Sequence, residues 1–108
     1  MIEPYLYHLK GNLLMHHLKF NEAIGEFTKA SNTFKSFYQE REFLRGFKFS
    51  QFNIGLCYQK MSKHQEAVTK YIDLVKNDVK TVEVLNALGN AFIELAVQEN
   101  PEKLDLDE

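Results

Sequence analysis

Apolar residues recur along this chain at steps of three and four. Ala23, Phe27, Ala30, Phe34 and Phe37 form one such series, and Phe43, Phe47, Ser50, Ile54, Cys57 and Met61 follow the same steps with one small polar residue among them. That period places one side chain per turn on a common helix face. No stretch alternates apolar and polar residues between turn signals, so strands are not predicted. The two prolines are Pro4 and Pro101. Pro4 suits the first turn of a helix, where its missing N–H would be unpaired anyway. Breaks fall at Leu18–Asn21, Met61–His64, Lys76–Asp78 and Glu99–Pro101, with another near Gln39–Arg41, and Asn21 and Ser62 are candidate N-caps. Five helices are therefore predicted, at roughly 4–18, 21–39, 41–61, 64–77 and 80–98. Short connections make neighbours antiparallel.

A longer period overlies the helical one. Tyr7-x2-Lys10-Gly11-x2-Leu14 is followed by Ala23-x3-Phe27 and Ala30. Gln51-x2-Ile54-Gly55-x2-Tyr58 is followed by Ala67-x3-Tyr71, and Leu85-x2-Leu88-Gly89-x2-Phe92 opens a third copy in which Pro101 stands where the alanine would be. Repeats of this kind are units that bury their apolar faces by stacking. The small glycine and alanine let two helices of a hairpin cross closely, and the aromatics fill the space beside the crossing. Residues 1–108 then form a single domain with repeats at about 4–47 and 48–81 and a partial one at 82–108.

This pattern resembles the tetratricopeptide repeat, a helix–turn–helix unit of about 34 residues with W-x2-L-G-x2-Y followed by A-x3-F. The resemblance implies an all-α, right-handed stack of antiparallel helix hairpins. Gly55 and Gly89 are 34 residues apart, whereas Gly11 and Gly55 are separated by 44. Ten extra residues lengthen the paired helices by about 15 Å in total. In that respect, and in its aromatic, Lys- and Asn-rich texture, the chain is similar to the long-helix repeats of bacterial peptide-pheromone receptors (the Rap phosphatases and PlcR/NprR-like regulators). The third helix pair is incomplete, so either the chain belongs to a longer array or another copy covers the last helix.

In the family it resembles, the first helix of each pair lines a concave groove. The matching positions are His8 and Asn12, Phe52 and Leu56, and Asn86 and Asn90, with Tyr5, Phe49 and Glu83 one turn earlier. Such a groove is polar at both ends and apolar in the middle. Asn12, Asn53, Asn86 and Asn90 form a candidate row for holding a peptide backbone, because an amide side chain both donates and accepts. The alternative is that these asparagines simply face solvent. Asn12 and Asn53 also match positions used by co-chaperone repeats to grip a carboxylate, but His8, Glu83 and Ala87 stand at the cationic positions, and a glutamate there repels the ligand. The Phe49, Phe52, Leu56 stripe is either an exposed anchor or a surface covered by a neighbouring helix.

Composition narrows the function further. The chain has 108 residues, a net charge of −2 and 26% charged residues, without a basic block to follow a phosphate backbone, so direct nucleic-acid binding is not expected. A single cysteine, Cys57, excludes an internal disulfide and fits a reducing, cytoplasmic setting. The start, MIEPYLYHLK, does not read as a signal peptide, and no apolar run is long enough to span a membrane.

Candidate chemistry is sparse. His8 and His16 lie about 12 Å apart on one helix line, too far to share a metal ion. His16 and His17 point to different sides, and His64 falls in a turn. Cys57, on a packing face, reads as buried and inert. Asp73, Asp78 and the tail Glu102, Asp105, Asp107 and Glu108 make no defensible carboxylate pair, and no glycine-rich phosphate loop is present. Gly25 and Gly46 interrupt helical patterns, which either a close helix approach or a bend would explain. The expectation is a non-catalytic module without cofactor or metal that binds a peptide or protein segment, as the regulatory part of a bacterial signalling protein. The alternatives are a scaffold self-associating through helix 80–98 and a carboxylate-binding module.

Overall fold

A computed structural model describes residues 3–36 and 41–99, with backbone alone at 35, 36 and 41–44. Five helices and no strands occur among the described residues: α1 (Glu3–His16), α2 (Phe20–Ser36), α3 (Arg41–Lys60), α4 (His64–Lys76) and α5 (Val82–Glu99). Each packs mainly on the next in sequence, while α1, α3 and α5 touch only lightly. The radius of gyration is 15.1 Å. A compact chain of about 100 residues has about 13 Å, so the helices build outward rather than around one centre. The expected break near Gln39–Arg41 and the position of Phe37 lie outside the described residues, as does the acidic tail.

Three helices, α1, α3 and α4, end in one shared form of closure. Leu18, Ser62 and Asp78 adopt φ of 63°, 61° and 65°. Each is the left-handed residue that closes a helix. The next N–H reaches back five residues, Lys19 to Leu14, Lys63 to Tyr58 and Val79 to Leu74, at 2.8, 2.8 and 2.9 Å. The left-handed residue's own N–H bonds three back, to Met15, Gln59 and Val75. These bonds satisfy carbonyls that a helix end leaves orphaned. Ser62 is thus the end of α3, not a cap for α4, whose N-cap Lys63 makes no side-chain bond. Asn21 lies inside α2. Glycine usually fills such left-handed positions; without it the sequence places the breaks but not the residues that close them.

The core forms in two clusters. Ala23, Phe27, Ile54 and Cys57 join α2 to α3, with Leu14 and Met15 of α1 against them. Ala67, Val68, Tyr71 and Leu74 of α4 join Val84 and Ala91 of α5, with Phe52 and Leu56 of α3 alongside. Tyr58 packs on both. The aromatics of the repeat occupy the crossings. A Cβ on Gly11 would lie 2.6 Å from the Phe27 ring, and one on Gly55 2.5 Å from Tyr71. Gly46 is a third close approach, 2.6 Å from the Phe34 ring, whereas nothing lies within 4 Å of a Cβ at Gly25 or Gly89. Gly46 therefore answers to packing and Gly25 does not. In α5 the inward stripe runs through Val84, Leu88, Ala91 and Leu95, while Phe92, four residues after Leu88, points out and is 47% exposed.

Candidate functional site

The nine groove candidates lie on α1, α3 and α5, and the two junctions between these helices are built differently. At the first, α1 meets α3 through side chains that bond one another. His8 Nδ1 is 3.3 Å from Ser50 Oγ, and the Asn53 amide nitrogen is 3.5 Å from both His8 Nε2 and Asn12 Oδ1. The His8 ring also meets Phe27 and Phe49 edge-on, at centroid distances of 5.3 and 5.7 Å. Burial lowers the His8 pKa from its ordinary 6.5. An Asn53 N–H donating to Nε2 and Nδ1–H donating to Ser50 both suit the neutral ring. Asn53 is only 5% exposed. It is enclosed between α1 and α3, which takes it out of the proposed asparagine row. Tyr5 lies edge-on to Phe34 at 5.2 Å, so its ring joins the packing of α1 on α2.

The second junction is open. Between α3 and α5 lies a hollow of about 810 Å³. Phe49 and Phe52 of α3 face Val84 of α5 across it, and Val79, Lys80 and Thr81 of the α4–α5 connection close one side. Arg45 and Lys48 stand at its rim with Asp78 and Glu83. It continues past Phe52 and Glu83 into a second hollow of about 460 Å³, where Leu56 and Ala87 lie between Asn86, Asn90, Gln59 and Glu94. Phe49 is 57% exposed, while Phe52 and Leu56 are half-buried against the α4–α5 cluster. The stripe weighed in the sequence is thus exposed at its first ring and partly covered at Phe52 and Leu56. Asn86 and Asn90 are exposed.

Behind this floor runs a polar chain that the sequence did not reveal. The Tyr71 hydroxyl donates to Gln59 Oε1 at 2.8 Å, and Gln59 Nε2 donates to Glu94 Oε1 at 2.9 Å. Glu94 Oε2 is 3.3 Å from His64 Nδ1 without hydrogen-bond alignment. His64 is the buried first residue of α4 rather than a surface turn residue. Burial, with Cys57 and Glu94 nearby, raises the Tyr71 phenol well above its usual range, so it stays a donor. These bonds fix Gln59 and Glu94 at the groove edge. Neither residue carries a sequence signal, because their roles come from helices far apart in the chain. The same holds for Arg45, Lys48, Val79 and Lys80.

Cys57 is buried, with Sγ 3.5 Å from Met15 Sδ, and burial pushes its thiol up to about 11 against a smaller opposing effect of Lys60. Such a thiol holds almost no thiolate at neutral pH. His16 and His17 are exposed at the end of α1. Among the described residues no group of three His, Cys, Asp or Glu side chains is placed to hold a metal ion, and no helix is long and apolar enough to cross a membrane. Comparison with known proteins finds no matching family model, no matching curated protein and no matching solved structure.

Proposed function

We propose that this chain is a helical-hairpin repeat module of tetratricopeptide type that binds a peptide or protein segment between α3 and α5. The observation that carries the reading is the open hollow between these helices, apolar at Phe49, Phe52 and Val84 and continued by exposed amides at Asn86 and Asn90. A bulky apolar side chain fits the first part, and the asparagines pair with the backbone of the segment beyond it. Its lining, apolar side chains followed by exposed amides, suits an extended segment. The resemblance of the long first repeat to peptide-sensing receptors supports a regulatory role in a bacterial, cytoplasmic signalling protein.

A displayed library of peptides of about ten residues, selected on the immobilised chain, tests this. Selected peptides should lose about tenfold or more in affinity with Phe49→Ala. With Asn90→Ala the loss should be about threefold to tenfold, from one hydrogen bond. Both side chains are outside the core, so circular dichroism should not change. If no peptide is selected, or if affinity ignores both substitutions, the reading fails.

A further inference from the structure

The face of α5 that α4 leaves uncovered has counterparts inside the molecule. Leu85, Gly89 and Phe92 stand in the third copy where Tyr7, Gly11 and Leu14, and Gln51, Gly55 and Tyr58, stand in the first two. There the glycine lies under an aromatic ring of the following helix, and Leu14 and Tyr58 pack into the core. On α5 the glycine has nothing above it, and Leu85, Phe92 and Ile93 are 46%, 47% and 61% exposed. The residues in register to supply the cover are Pro101 and Asp105, in place of Ala23 or Ala67 and Phe27 or Tyr71. The Ala23 and Ala67 N–H groups bond Lys19 and Lys63 carbonyls in the helix start. Proline has no N–H to do so, and a carboxylate does not replace a buried ring. The sequence in that register therefore lacks the small residue and the ring that cover Gly11 and Gly55.

The face is complementary to itself. Phe92 lies three residues from Gly89, and Leu85, Gly89, Phe92 and Ala96 share one side of the helix without a charge among them. We infer that two copies of this chain associate through α5, antiparallel about a twofold axis near residues 90 and 91, each Phe92 seated on the other's Gly89. This pairing repeats between chains the ring-on-glycine contact made at Gly11 and Gly55 within one. Charge selects the direction. The acidic side chains of α5 are Glu83, Glu94 and Glu99, and its last turn has no basic residue. A parallel pair sets Glu99 beside Glu99. The antiparallel pair sets it beside the partner's α5 N-terminus and Lys80, where an anion is favoured. Asn90 lies on another side of α5, while Asn86, three residues before Gly89, borders the contact.

Sedimentation equilibrium of the full chain over micromolar to millimolar concentration tests this. The wild type should dimerise with a concentration-dependent mass. Phe92→Arg and Gly89→Leu should each weaken the dimer by about tenfold or more. Gly89→Leu adds a helix-favouring side chain where the monomer has space, so misfolding does not explain a loss. Leu9→Arg, at an exposed position of α1, should leave the dimer intact. Lys80→Glu should weaken it several-fold, and no effect there overturns the antiparallel direction. A wild type that stays monomeric overturns the inference. A dimer that survives both Phe92→Arg and Gly89→Leu overturns it equally.

Discussion

Gly55 and Gly89 hold the same place in successive repeats and meet opposite surroundings. Gly55 is pressed by the Tyr71 ring, which is fully buried and tethered through its hydroxyl to Gln59. Gly89 faces open space. One motif residue is thus a steric requirement in the middle of the chain and an unused provision near its end. A glycine in a helix interior costs about 1 kcal/mol relative to alanine. At Gly55 the close crossing offsets that cost, and at Gly89 nothing within one copy does.

The largest expected effect follows from filling the used position. A methyl at residue 55 falls 2.5 Å from Tyr71 Cε1, and the ring has no free end to swing away. Gly55→Ala should destabilise the chain by roughly 1–3 kcal/mol through overpacking, only partly offset by helix propensity. The thermal midpoint should fall by several degrees. An unchanged or raised midpoint would mean that the Tyr71 crossing is loose.

The opposite sign is expected where the glycine is idle. Gly25, on the exposed side of α2, has nothing within 4 Å of a Cβ. Gly25→Ala should raise stability by up to about 1 kcal/mol, read from the urea midpoint at unchanged slope. Gly89→Ala, measured dilute enough for a single copy, should behave the same way. If Gly25→Ala destabilises, the helical environment assigned to α2 is wrong.

The same contrast explains what the sequence disclosed. Helix period and the glycine–alanine–aromatic spacing are local, so the stripe of Ala23, Phe27, Ala30 and Phe34 and the five helices could be read directly. Which glycines are needed depends on a ring sixteen residues away, and the spacing of Gly11 to Phe27 and Gly55 to Tyr71 carries that too. The breaks holding Leu18, Ser62 and Asp78 were legible, but their left-handed closure was not, because ordinary side chains hold that backbone there at a cost of about 1 kcal/mol each. Half of the candidate groove was legible. Phe49 and Phe52 share one face of α3, and Asn86 and Asn90 one face of α5, by helical arithmetic, whereas Val79, Lys80 and Glu94 reach the hollow only through the α4–α5 connection and the packing of α5. Asn53 shares the face as well, but lateral contact with α1 encloses it, and a helical wheel does not contain lateral contacts.

That enclosure separates the two junctions, and pH is the smallest and most selective way to probe it. The α1–α3 junction is closed by a half-buried neutral imidazole; the α3–α5 junction is an open hollow. Burial holds the folded pKa of His8 below its ordinary 6.5. Between those two values the unfolded chain binds the proton more readily than the folded one. The stabilisation from neutral His8 is therefore complete above pH 6.5, and is lost as pH falls through the lowered folded value. Protonated Nε2 also no longer accepts from Asn53, so the Asn53 amide loses one of its two contacts. Urea midpoints measured from pH 8 down to pH 5 should fall more steeply for the wild type than for His8→Gln, which keeps a polar amide but has no proton to gain. His8 also meets Phe49 of the α3–α5 hollow edge-on at 5.7 Å, so stability rather than affinity is the readout for this ring. Parallel wild-type and His8→Gln stability profiles would show that the His8, Ser50 and Asn53 contacts do not distinguish the neutral ring from the charged one.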